Sequence, residues 1–77
     1  MVVGRGEMEQ FYKDHRIEVS LWLDGDGWFV SLFIYYREKA TNILVTFSLN
    51  EKFTTYDGAV EAGLAAAQKW IDGGKAA

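Results

Sequence analysis

HRIEVSLWLDGDGWFVSLFIYY, residues 15–36, holds two strand-like runs on either side of a glycine-rich break. Its first nine residues alternate: Ile17, Val19, Leu21 and Leu23 fall on one side, Arg16, Glu18, Ser20 and Trp22 on the other. A period of two over this length is the mark of a half-buried strand. WFVSLFIYY, residues 28–36, is dense in β-branched and aromatic residues and reads as a second strand. Between them stands DGDG, residues 24–27. Asp-Gly pairs accept the positive φ angles that tight hairpin turns need, so this segment predicts a turn. Two chemical readings of DGDG fail. In an EF-hand register with Gly27 at the invariant glycine, Trp22 and Phe33 would occupy the first and last ligand positions, and neither can bind a hard cation. A phosphate-cradling loop needs a helix after its glycines, and the two carboxylates here would repel the anion.

Downstream, ILVTFSL (residues 43–49) places Ile43, Val45, Phe47 and Leu49 on one side and Leu44, Thr46 and Ser48 on the other. The connections, residues 24–27 and REKATN at 37–42, are short enough to predict an antiparallel meander. The period then changes. Tyr56, Val60, Leu64, Ala67 and Ile71 recur at three- and four-residue steps and predict a helix from Tyr56 to Asp72 with one apolar stripe. Thr55 is placed to cap it, Asp57 and Glu61 sit near its positive end, and Lys69 near its negative end. Gly73 suits a left-handed closing residue. Gly58 and Gly63 each cost the helix about 1 kcal/mol relative to alanine, a cost that close approach of Gly63 to the sheet could offset.

The predicted architecture is α+β: a three-stranded antiparallel β-meander with one C-terminal helix packed on one face, in the order β-β-β-α. The helix is expected to cover Ile17, Val19, Leu21, Val30, Leu32, Ile34, Val45 and Phe47. Residues 1–10 read as a flexible leader, 11–73 as a single domain and 74–77 as a frayed tail. MVVGRGEMEQ, the first ten residues, carries acids and lacks the apolar run of a signal peptide.

Composition narrows the chemistry. The chain has 77 residues, no cysteine, no proline, one histidine and a formal net charge of −3. Disulfides and thiolate zinc sites are therefore excluded, as is any site needing two imidazoles. No metal and no cofactor are expected. A net negative chain is repelled by a phosphate backbone, which disfavours nucleic acid as a default partner. No apolar run reaches the ~18 residues of a membrane span. A cysteine-free chain without an export signal is expected in the cytoplasm. Asp14, His15 and Ser20 carry the letters of a catalytic triad, but strand parity sends His15 and Ser20 to opposite faces. His15 reads as a surface histidine at a strand start. Asp57, Glu61 and Asp72 read as solvated acids on the outer side of the helix. No catalytic residues are expected.

The informative excess lies on the second predicted strand, which is apolar on both sides. Val30, Leu32 and Ile34 belong under the helix. Phe29, Phe33 and Tyr35 point the other way, alongside Trp22 and Leu44 of the neighbouring strands. One helix cannot cover both faces of a sheet, and each large aromatic carries ~150–250 Å² of buriable surface. Three outcomes compete: Phe11 and Tyr12 fold back over the face, a second copy packs against it, or it receives another protein or a base-stacking ligand. Arg16, Arg37 and Lys39 are the cations that could serve the nucleic-acid alternative, offset by Glu18 and Glu38.

The segment DGDGWFVSL, with FTTYDGAVEAGLAAAQKWID after a third strand, resembles small bacterial β-β-β-α domains without an assigned activity. Gly27, Trp28, Phe53, Tyr56, Ala59, Ala62, Gly63, Trp70, Ile71 and Asp72 carry that resemblance. TTYDGAVEA is more weakly similar to the helix start of the N-terminal module of HicB-like antitoxins, with Thr55 and Ala59 kept and Gly58 where that family has glutamate. The first resemblance implies the fold and little else; the second implies a regulatory module associated with nucleic acid. The expectation drawn from the residues is a small non-catalytic interaction domain. It is expected to form a homodimer, or to bind another protein, through Trp22, Phe29, Phe33, Tyr35 and Leu44.

Overall fold

The computed structural model describes residues 4–73. Four strands precede one helix: β1 (Arg5–Tyr12), β2 (His15–Asp24), β3 (Gly27–Glu38), β4 (Thr41–Phe53) and α1 (Tyr56–Asp72). The strands form one antiparallel sheet in chain order, and the helix lies across one face. The α+β class stands, but the expected three strands are four. Residues 5–10, expected as a leader, belong to β1, which pairs with β2 from Arg5↔Trp22 to Tyr12↔His15. Their inward positions are Gly6, Met8, Gln10 and Tyr12, a set too poor in apolar residues to announce a strand. Residues 1–3 of the expected leader and the expected tail at 74–77 lie outside the described residues.

All three hairpins close with two-residue turns. Lys13 and Asp14 (φ 48° and 64°) and Lys39 and Ala40 (φ 50° and 68°) have positive φ at both central positions, the type I′ pattern that matches strand twist. In the DGDG turn Gly25 (φ 70°) takes the positive angle, and Asp24 pairs with Gly27. The REKATN connection is thus shorter than expected, because Arg37↔Asn42 and Glu38↔Thr41 already belong to the ladder.

Strand parity builds the core. Ile17, Val19, Leu21, Val30, Leu32 and Ile34 are all 0% exposed beneath the helix, with Val45, Phe47 and Leu49 packed at its margin. The helix seam differs from the expected stripe: its buried residues are Ala59, Gly63, Ala67 and Ile71, while Val60 and Leu64 flank the contact and Tyr56 is exposed. Small side chains at four-residue steps let the helix axis come close to the sheet. A Cβ on Gly63 would stand 3.0 Å from Val30 Cγ1 and 3.2 Å from Val19 Cγ1, so the glycine is the point of nearest approach.

The helix starts as expected: Thr55 Oγ1 accepts from the Gly58 N–H at 3.0 Å. It ends differently. Gly73 has φ −77°, not a left-handed angle, and its N–H donates to the Lys69 carbonyl at 2.9 Å. Asp72 does not simply face solvent. Its carboxylate accepts from Tyr12 Oη at 2.7 Å and Lys13 Nζ at 2.6 Å, clasping the β1–β2 turn to the end of the helix. A cation there also offsets an acid standing at the negative end of the helix dipole. His15, expected at the surface, is buried on the helix side, where its ring meets Tyr36 at 4.7 Å.

The clasp carries a pH dependence. The Lys13 hydrogen bond, then that of Tyr12, holds the Asp72 carboxyl below its ordinary value. A carboxyl lowered in the fold contributes stability above its unfolded pKa and loses it as pH falls through the folded one. Lys13 and Tyr12 are raised by the same bonds, so their contribution is lost as pH climbs through their folded values. Asp72→Asn is expected to lower the melting temperature by a few degrees at neutral pH, and the difference is expected to shrink as pH falls through the lowered folded-state value of Asp72. A difference that persists in acid would show that the clasp acts by packing and not by charge.

Candidate functional site: the open face of the sheet

The face opposite α1 is built by the alternate residues of all four strands. Cross-strand register arranges it in rows: Arg5–Trp22–Phe29, Glu7–Ser20–Ser31–Ser48, Glu9–Glu18–Phe33–Thr46, and Phe11–Arg16–Tyr35–Leu44. The serine row divides it. On one side Trp22 and Phe29 stack with ring centroids 5.9 Å apart. On the other stand Phe33, Tyr35, Leu44 and Phe11. Ser31 and Ser48 share a hydrogen bond at 2.8 Å, and a shallow depression of about 610 Å³ opens between Arg5, Glu7, Ser20 and Phe33.

All five residues expected on the open face, Trp22, Phe29, Phe33, Tyr35 and Leu44, lie there. Trp22 is 37% and Leu44 53% exposed, while Phe29, Phe33 and Tyr35 are half-buried by their neighbours. Phe11 and Tyr12 do not fold back over them. Because they lie in a paired strand they point to opposite faces: Tyr12 turns to the helix side, and Phe11, 69% exposed, joins the aromatic surface and enlarges it. Phe11 is the residue that sequence reasoning left out. The signal was the alternation of Glu7 and Glu9 with Met8, which sets the parity of β1.

The polar groups on this face are engaged with one another. Arg16 Nη1 donates to Glu9 at 3.0 Å and to Glu18 at 2.6 Å, and its guanidinium lies 4.1 Å from the centre of the Tyr35 ring. Tyr35 Oη donates to the second oxygen of Glu18 at 3.1 Å. The Glu9 hydrogen bond is the main cause raising the pKa of Arg16; desolvation, then the bond to Glu18, raises that of Tyr35. Arg37, exposed at the far end of β3, lines a shallow depression together with Arg16, Phe11, Tyr35 and Leu44, while Lys39 lies in the β3–β4 turn. Asp26 of the DGDG turn is paired with Lys52 at 3.0 Å, which lowers its pKa. Among the described residues no cluster of acid or histidine side chains is arranged to hold a metal, and no helix is long and apolar enough to cross a membrane.

Fold and face together define a four-stranded antiparallel meander with a single covering helix and an aromatic surface that no described residue covers. The chain matches no family model, no curated protein and no solved structure.

Proposed function

We propose that this chain is a small non-catalytic interaction domain that self-associates through the open face of its sheet. One observation carries the reading: Phe11, Trp22, Phe29, Phe33, Tyr35 and Leu44 share a face over which no described element passes. Such surface gains free energy when a second body removes it from water. Four strands spaced ~4.8 Å apart, over ~8 residues rising ~3.3 Å each, make a face of roughly 500 Å². Two copies sheet to sheet would bury about 1,000 Å² in total, the lower bound for a specific interface. The face also suits a copy of itself. A twofold axis along the serine row sets Phe29 of one copy against Phe33 of the other, Trp22 against Glu18 and Arg5 against Glu9, with the two Glu7 side chains meeting at the rim. The lack of cysteine is consistent with a reducing compartment, and we place the domain in the cytoplasm.

The alternative, a regulatory module contacting nucleic acid through Arg16, Arg37 and Lys39, draws less support. Arg16 is already held by two carboxylates, and Glu7, Glu9 and Glu18 would meet any incoming phosphate.

Phe33→Asp is expected to halve the particle mass measured by light scattering while leaving the circular dichroism spectrum unchanged, since the side chain faces away from the helix. Trp22→Asp, across the serine row, should do the same. Unchanged mass in both folded variants would remove the proposal.

A further inference from the structure

The two edges of the sheet are built differently. β1 is short, its open side carries Arg5, Glu7 and Glu9, and its helix side is stapled by Gln10 to Gln68 at 2.9 Å and by Tyr12 to Asp72. Charges along an edge are the usual protection against pairing with another chain. β4 is 13 residues long, and from Thr41 to Asn50 it holds no charged residue. Its helix-side residues Ile43, Val45, Phe47 and Leu49 are only half-buried. An unguarded edge of this length is a template for another strand.

The turn fixes which backbone groups are available. In the two-residue turn at Lys39–Ala40, the Glu38 carbonyl accepts from the Thr41 N–H. Thr41 therefore points its amide at β3, and the alternation of an antiparallel ladder gives Ile43, Val45 and Phe47 the same direction. Asn42, Leu44, Thr46 and Ser48 then point their N–H and C=O groups outward, away from the sheet.

We propose that this edge pairs with β4 of a second copy, antiparallel, about a twofold axis at Thr46. The occupant follows from the sequence of the edge, NILVTFSLN at residues 42–50, which reads similarly in both directions about Thr46. In that register Thr46 exchanges hydrogen bonds with Thr46 of the other copy, and Leu44 with Ser48. On the helix side Val45 meets Phe47 and Ile43 meets Leu49, so apolar surface that α1 leaves half open is covered from both directions. Asn42 falls opposite Asn50 at each end. A one-residue slip would set outward amides against inward ones and lose the ladder. The product is a continuous eight-stranded sheet with both helices on one side and both aromatic faces on the other. This contact is distinct from the sheet-to-sheet one and does not depend on it.

The test uses the full chain carrying Phe33→Asp, so that face contacts are removed. That protein is expected to sediment as a dimer. Its Leu44, Thr46 and Ser48 amides should exchange with deuterium at least about tenfold more slowly than expected for solvent-facing edge amides. Adding Thr46→Pro, which removes an outward donor that the intact chain does not need for its own ladder, should give a monomer. A monomeric Phe33→Asp chain with fast-exchanging Leu44, Thr46 and Ser48 amides overturns the edge proposal. A dimer that survives Thr46→Pro also overturns it. If the proline variant does not fold, the exchange pattern of the Phe33→Asp chain decides the matter alone. The two contacts fail separately, because Phe33→Asp reads the face and Thr46→Pro the edge.

Discussion

Gly63→Leu is expected to lower the unfolding free energy by about 3 kcal/mol, through overpacking at the closest point between helix and sheet. The first added atom, Cβ, already falls 3.0 Å from Val30 and 3.2 Å from Val19. Both neighbours are fully buried and belong to the two central strands, so neither has solvent to move into. The three further carbons of leucine must either force these valines off their rotamers or lift the helix and expose Ala59, Ala67 and Ile71. The gain in helix propensity from replacing glycine, about 1 kcal/mol, offsets only part of that. For a domain of this size the change corresponds to a fall of roughly 15 °C in melting temperature. Urea titration measures it. Gly63→Ala is the control, since its single methyl asks the valines to give by a few tenths of an ångström and brings the propensity gain with it. Equal stability of parent and Gly63→Leu would mean that the helix does not seat on Val19 and Val30.

The second large effect is at Leu32, between Val19 on β2 and Phe47 on β4. Leu32→Ala removes a fully buried side chain from the middle of the core and is expected to cost about 2–5 kcal/mol. A chain of this length has only about 4–12 kcal/mol in total, so the variant should be partly unfolded near its lower limit. The adjacent residue gives the contrast. Phe33 is larger, yet Phe33→Asp should leave the fold intact, because alternation sends it to the other face. Thermal melts of the two variants compare a core position with a surface one a single residue apart. Similar losses in both would contradict the parity on which the face assignment rests.

Much of this was legible in the residues, for reasons that differ from element to element. β2 and β3 show themselves because their inward positions are filled by branched aliphatics. Once the helix is assigned to that side, the outward direction of Trp22, Phe29, Phe33, Tyr35 and Leu44 follows from the period of two. The helix bounds were readable because Thr55 caps and the apolar period changes there. β1 was hidden because Gly6 and Gln10 occupy inward positions. Gly6 leaves room for the Tyr56 side chain, and Gln10 is satisfied by Gln68, a partner far along the chain. The seam of α1 was hidden for a related reason. A hydrophobic stripe points to Val60 and Leu64, but the helix approaches the sheet most closely where its side chains are smallest. His15 shares the parity of Ile17, Val19 and Leu21, which puts it on the helix side; what the local pattern does not reveal is the Tyr36 ring packed against it.

The sheet exposes more aromatic surface than the described residues cover, and a second copy is expected to cover the rest. Sedimentation equilibrium of the unaltered chain, from about 1 μM to 1 mM, tests it most directly, since this range brackets the affinities expected of so small an interface. The mass is expected to rise with concentration to at least twice that of the single chain. A single-chain mass across the whole range would contradict it.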